Sequence, residues 1–176
     1  MVVGEPEIVS YNTPRLRVQH WAAALADGTQ RRVLECELAA LLTPKVLAPL
    51  PPSMQFAQGG DVSHWIENRA LESDVLTIRH IETGALIGLL IVAYTKEAGA
   101  RRQAHLGYLL AETAWGAGYA SEVVAGLVAA NTAGIDLLGG VGVDNPASAR
   151  VLRKAGFAKD AVQSTPETDM FLWTQA

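Results

Sequence analysis

Three apolar runs follow one another between Val75 and Ala111 with only turn chemistry between them. Val75-Leu76-Thr77-Ile78-Arg79-His80, Leu86 to Tyr94 and Ala104 to Ala111 each have the length and composition of a strand. Glu82-Thr83-Gly84 joins the first two as an antiparallel hairpin, and Lys96 to Arg102 is a polar, glycine-containing turn. The unbroken apolar character of Leu86 to Tyr94 predicts burial on both faces. A doubly wound sheet alternates strand and helix throughout, so three successive strands exclude that architecture.

The flanking segments complete the pattern. Thr13-Pro14-Arg15-Leu16-Arg17-Val18 alternates polar and apolar residues and predicts a first strand. Trp21 to Leu42 has helical spacing and predicts one or two amphipathic helices. Pro49 to Gly60 reads as a loop, after which Asp61 or Ser63 caps a helix reaching about Leu71. A helix is expected from near Gly118 to Ala133, with Gly134 as its stop. Ile135 to Val143 is a glycine-rich strand, Asn145 to Ala155 a helix halted by Gly156, and Phe157 to Val162 and Met170 to Thr174 the last two strands. The order predicts an α/β fold of the mixed α+β kind: a mixed, largely antiparallel sheet with helices on both faces.

Composition narrows the function. The chain has 176 residues, 49% of them hydrophobic, enough for a sizeable core. Eighteen acidic residues against fourteen basic ones argue against broad nucleic-acid binding. Cys36 is the sole cysteine, which rules out an internal disulfide and fits a reducing, cytoplasmic setting. The first residues show no signal-peptide pattern, and the longest apolar run falls far short of the ~20 residues of a membrane helix. The expectation is a cytoplasmic protein with no membrane or nucleic-acid partner, monomer or homodimer.

Two segments carry candidate chemistry. Leu109-Leu110-Ala111-Glu112-Thr113-Ala114-Trp115-Gly116-Ala117-Gly118-Tyr119-Ala120-Ser121-Glu122 runs from a strand end, through a loop, into a helix opened by two glycines. Glycine lets a backbone approach a ligand closely, and a helix N-terminus offers unpaired amides and a positive dipole end. Together they suit a pyrophosphate; glycines serving turn geometry alone are the plain alternative. No G-K-[ST] is present, and Ser121 stands where a dinucleotide fingerprint wants glycine. The second segment is Val143-Asp144-Asn145-Pro146-Ala147-Ser148-Ala149-Arg150-Val151-Leu152-Arg153-Lys154-Ala155-Gly156-Phe157. Asn145 suits an N-cap and Pro146 the first helical position. Arg150, Arg153 and Lys154 either meet phosphates or form a solvated basic face.

Taken together, Gly107-Tyr108-Leu109-Leu110, Trp115-Gly116-Ala117-Gly118-Tyr119-Ala120-Ser121-Glu122, and Asn145-Pro146-Ala147-Ser148 through Lys154-Ala155-Gly156-Phe157 resemble the GNAT acetyltransferase superfamily. Within it they look most like the RimJ/RimL-like branch, which includes ribosomal-protein alanine acetyltransferases. Thr13 to Arg17 is similar to that family's first strand, so the resemblance spans about residues 13–175. It implies a single acyl-CoA N-acyltransferase domain over 1–176. Trp21 to Gly60 carries no recognised substrate signature.

The resemblance implies a gap between the strand ending at Ala111 and the glycine-rich strand, holding the pantetheine arm of acetyl-CoA. Backbone groups of Leu109, Leu110 and Ala111 would bond that arm, and amides of Trp115, Gly116, Ala117, Gly118, Tyr119 and Ala120 the pyrophosphate. Trp115 replaces the Gln or Arg usual in the superfamily, a small change where main-chain N–H groups bind. Asn145 would bond pantetheine or cap its helix, and Arg153 would face phosphate. Many relatives place a tyrosine acid where this chain has Leu152, so Ser148 becomes the candidate proton donor to the leaving thiolate.

Acetyl transfer also needs a neutral amine, since an α-amino group has a pKa near ~8 and lysine near ~10.4. An amide near Leu109 or Leu110 would hold the oxyanion. Candidate bases are Glu167, Asp169, Glu112 and His105; Glu167 and His105 are carried forward, against the plain readings of an exposed loop carboxylate and a packed strand histidine. His64, Trp65 and Trp21 either line the acceptor pocket or belong to the core. No metal is required and no zinc-like spacing occurs. The partners expected are acetyl-CoA and a primary amine, on a protein N-terminus or a small molecule, with the acidic balance mildly favouring a cationic one. A non-catalytic acyl-CoA sensor and a different nucleotide-using enzyme are the rival readings.

Overall fold

The computed structural model describes residues 8–56, 60–95 and 102–175. Its strands are β1 (Tyr11–Asn12), β2 (Leu16–His20), β3 (Asp74–His80), β4 (Leu86–Thr95), β5 (Gln103–Leu110), β6 (Asp136–Gly142), β7 (Ala158–Asp160) and β8 (Thr168–Trp173). They form one sheet in the order β1-β2-β3-β4-β5-β6-β8-β7. β5 and β6 pair in parallel and the other neighbours antiparallel, which is the mixed, largely antiparallel sheet expected.

The helices are α1 (Ala22–Ala26), α2 (Gly28–Leu41), α3 (Pro44–Leu47), α4 (Val62–Glu72), α5 (Tyr119–Ala130) and α6 (Pro146–Lys154). Successive strand residues point to opposite faces, and the two cores separate accordingly. Val75, Leu89, Ile91 and Leu109 pack with Leu38 of α2, Val46 of α3 and Ile66 of α4. Leu76, Leu90, Val92 and Leu106 pack on the opposite face with Val124 of α5 and Leu152 of α6. β4 feeds both cores, as its unbroken apolar sequence requires.

Local hydrogen bonds explain where elements begin and end. Asp27 accepts from the N–H groups of Thr29 and Gln30, splitting the Trp21–Leu42 segment into α1 and α2. Asp61 caps α4 through Ser63 N–H. The first long strand starts at Leu16 rather than Thr13, because Thr13 Oγ1 accepts from Leu16 N–H at 3.0 Å and closes a turn there. α5 ends at Ala130, short of Ala133: Asn131 bonds both main-chain groups of Ile135 through its amide and pulls the chain out of the helix. The loop at 49–60 holds a 3-10 turn, Pro52–Met54, and a short helix, α3, precedes it. The expected turn at Lys96 to Arg102 lies mostly outside the described residues.

Candidate active site

β5 and β6 run side by side only from Gln103↔Asp136 to Leu106↔Gly139. Beyond that point β5 continues on β4 through Leu110, while β6 continues on β8 through Gly142. The strands part and leave a cleft of about 840 Å³. Gly139 sits at the parting. A Cβ there would lie 2.7 Å from Leu152 Cδ1, so the glycine gives the Leu152 side chain of α6 room against the strand.

The antiparallel ladder fixes which β5 main-chain groups face the gap. Ala111 N–H donates to Ile87 O at 2.8 Å, so Ala111, Leu109 and Gly107 direct their polar groups toward β4. Tyr108 and Leu110 direct theirs toward the gap. Ala111 is committed twice, since its carbonyl also accepts from Ala114 N–H at 2.9 Å. Of the three residues expected to offer main-chain groups there, only Leu110 does. Its carbonyl is taken by Trp115, whose Nε1–H donates to it at 2.8 Å. Tyr108 is the neighbour that sequence reasoning missed.

α5 opens at the same end of the cleft. Gly116 and Gly118 hold φ of +74° and +81°, a region L side chains disfavour. Gly118 is the N-cap, and among the described residues no side chain caps the helix, which leaves the first-turn amides of Tyr119, Ala120 and Ser121 without a side-chain cap. Trp115, Gly116, Gly118, Tyr119 and Ala120 line the cleft. Ala117 does not; its carbonyl turns away to accept from Arg15 Nη1 at 3.1 Å.

Arg15 braces this loop from behind. Its guanidinium lies 4.3 Å from the Tyr119 ring centroid and pairs with Glu122 at 2.7 Å. Thr13 Oγ1 and Arg15 N–H also donate to Glu122. Burial alone would raise the Glu122 carboxyl, but the Thr13 and Arg15 bonds outweigh it and hold the group below the ordinary carboxylate range. Glu112 is held low as well, by hydrogen bonds from Thr43 first and Lys45 second.

Across the gap, Asn145 Oδ1 accepts from Ser148 N–H at 3.1 Å and caps α6, and both residues line the cleft. Tyr108 Oη–H donates to Ser148 Oγ at 3.0 Å. Burial pushes the Tyr108 phenol up, opposed by the Ser148 bond, so it stays a proton donor at neutral pH. The two residues are 40 apart in sequence, so no local pattern joins them. The signal available is that both flank the expected gap: strand alternation opposes Tyr108 to Gly107, and Ser148 sits on the first turn of α6.

His105 also lines the cleft, but on the other face of the sheet, in register with Gly107 and Leu109. Two expected site residues lie elsewhere. Arg153 is exposed, with its guanidinium 5.1 Å from the Phe171 ring centroid, and Leu152, not Arg153, turns toward the sheet. Glu167 is exposed before β8, and among the described residues it is not one that lines the cleft. Asp169 pairs with Lys159 at 2.7 Å.

A family model described as the acetyltransferase (GNAT) domain matches residues 15–158. No curated protein matches the chain in sequence. Solved structures share its fold. An acetyltransferase from Agrobacterium tumefaciens is 24% identical, with a TM-score of 0.63 over 96% of this chain and 95% of that one. Mycobacterium smegmatis RimJ in complex with CoA-disulfide is 19% identical, with a TM-score of 0.69 over 94% of this chain and 86% of that one. A RimL ribosomal alpha-N-protein acetyltransferase in complex with coenzyme A is 19% identical, with a TM-score of 0.66 over 92% of this chain and 95% of that one. Among the described residues no helix is long and apolar enough to cross a membrane.

Proposed function

The chain belongs to the acetyltransferase (GNAT) family, and from that premise we propose that it moves the acetyl group of acetyl-CoA onto a primary amine by direct attack. The observation that carries this reading is the parting of β5 from β6 beside the uncapped start of α5. Such a gap accepts an extended pantetheine arm, and free amides at a helix N-terminus accept its diphosphate. The Trp115 loop and the two CoA-bound neighbours support the RimJ/RimL-like branch, with residues 13–175 working as one catalytic domain.

In this reading Gly118, Tyr119 and Ala120 hold the diphosphate through main-chain N–H groups, while Arg15 and Glu122 fix the loop from outside. The gap-facing N–H of Leu110 or Tyr108 holds the developing oxyanion, a role worth roughly 3–4 kcal/mol in other enzymes. The amine nitrogen bonds to the carbonyl carbon, and the carbon–sulfur bond breaks as the intermediate collapses. His105, on the face of the sheet away from α6, takes the proton the amine loses, directly or through water. Ser148 gives a proton to the departing thiolate and regains one from water in the open cleft, while Tyr108, donating into Ser148 Oγ, holds that hydroxyl in place. Acid and base thus stand on opposite sides of the sheet.

The test is release of free CoA on incubation with acetyl-CoA and a broad panel of amines. Amine-dependent thiol release supports transfer. Tight acetyl-CoA binding with no release across the panel would instead make the protein an acyl-CoA sensor.

A further inference from the structure

The face of the cleft that carries His105 is walled by apolar side chains. Val46 of α3, Leu50, Met54 of the following 3-10 turn, and Ile91 of β4 line it. Gly107 leaves it open, since a Cβ there would meet nothing within 4 Å. No described residue lining the cleft is an Asp or Glu. Lys45 also lines the cleft, and it pairs at 3.2 Å with Glu112, which does not.

We propose that the acceptor is a primary amine borne on an apolar aliphatic or aromatic group, with no second cationic centre. The inference rests on the acetyl-transfer reading of the same cleft. The reacting nitrogen must shed its proton before attack, and an apolar wall assists by disfavouring its charged form. A second ammonium gains nothing from that. It stays charged, loses water on entry and finds no carboxylate among the described residues that line the cleft. Polyamines and aminoglycosides, which carry several ammonium groups, are therefore excluded from the acceptor class. The net negative charge of the chain points the opposite way, but none of the described residues that line this wall carries it.

The experiment compares butylamine with 1,4-diaminobutane, which differ by one terminal ammonium, at equal pH with saturating acetyl-CoA. The expected kcat/KM per nitrogen is at least about tenfold higher for butylamine, as desolvating an unpaired charge requires. Met54→Glu, which puts a carboxylate into the wall, is expected to narrow or reverse that ratio. Equal or better use of the diamine by the wild-type protein overturns the inference and leaves acetyl transfer standing. If neither amine accepts acetyl, calorimetric binding of the two amines to the protein–CoA complex decides. Tighter binding of butylamine then keeps the cleft assignment while acetyl transfer fails; equal binding overturns the inference.

Discussion

Ser148→Ala separates a proton-donating role from a binding role. The substitution removes Oγ but keeps the main-chain N–H that donates to Asn145, so the α6 cap survives. It also leaves Tyr108 Oη facing a cleft open to water rather than buried without a partner, so the fold loses little. Acetyl-CoA affinity is therefore expected to stay within about threefold, the scale of one neutral hydrogen bond or less. Loss of a positioned acid lowers the chemical step by about 10²-fold or more. Tyr108→Phe removes only the bond into Ser148, a neutral contact at 3.0 Å worth about 1 kcal/mol, or roughly fivefold in rate. In the Ser148→Ala background the same Tyr108→Phe change has nothing left to support and costs almost nothing. The assay is single-turnover thiol release for the four members of the cycle, with calorimetry for acetyl-CoA. Fully additive losses, or a Ser148→Ala enzyme within about twofold of wild type, would refute these roles for the pair.

Gly118→Val forces a β-branched residue to φ +81° at the start of α5 and is expected to weaken acetyl-CoA at least about tenfold by calorimetry, in line with ~1–3 kcal/mol of backbone strain. Glu122→Gln removes the charge that ties Thr13 and Arg15 to α5. Because the folded carboxyl sits below its ordinary value, its stabilisation is present above pH 4.5 and is lost as pH falls through the folded value, so denaturant titrations of wild type and variant should differ at pH 7 and converge in acid. His105→Ala is expected to lower kcat by about 10²-fold while Glu167→Gln leaves it near wild type, and the same thiol assay with both variants reverses the assignment of the base if the losses are exchanged.

Much of this arrangement is legible in the sequence because it depends on local pattern. The run from Val75 to Ala111 has strand length and period, and β3, β4 and β5 lie within a residue or two of where that pattern puts them. Gly116 and Gly118 announce the loop because their backbone conformation needs glycine. Contacts between distant segments are not legible in this way. The Tyr108–Ser148 bond and the Arg15 brace on Tyr119 join residues far apart in the chain. Arg153 shows that charge alone does not place a side chain. On α6 Ala149 and Leu152 are the residues that pack inward, and the helical period turns Arg153 onto the exposed side of α6, against Phe171. The strand register also corrects a detail: alternation along β5 spends Leu109 and Ala111 on β4 and turns Tyr108 and Leu110 to the gap.

The direct measurement is a crystal structure of the protein with bound CoA. The diphosphate is expected within hydrogen-bonding distance of main-chain nitrogens between Gly118 and Ala120, with the pantetheine arm threading between β5 and β6 and the sulfur beside Ser148. A diphosphate bound elsewhere, or an arm that bypasses the parted strands, would contradict the account.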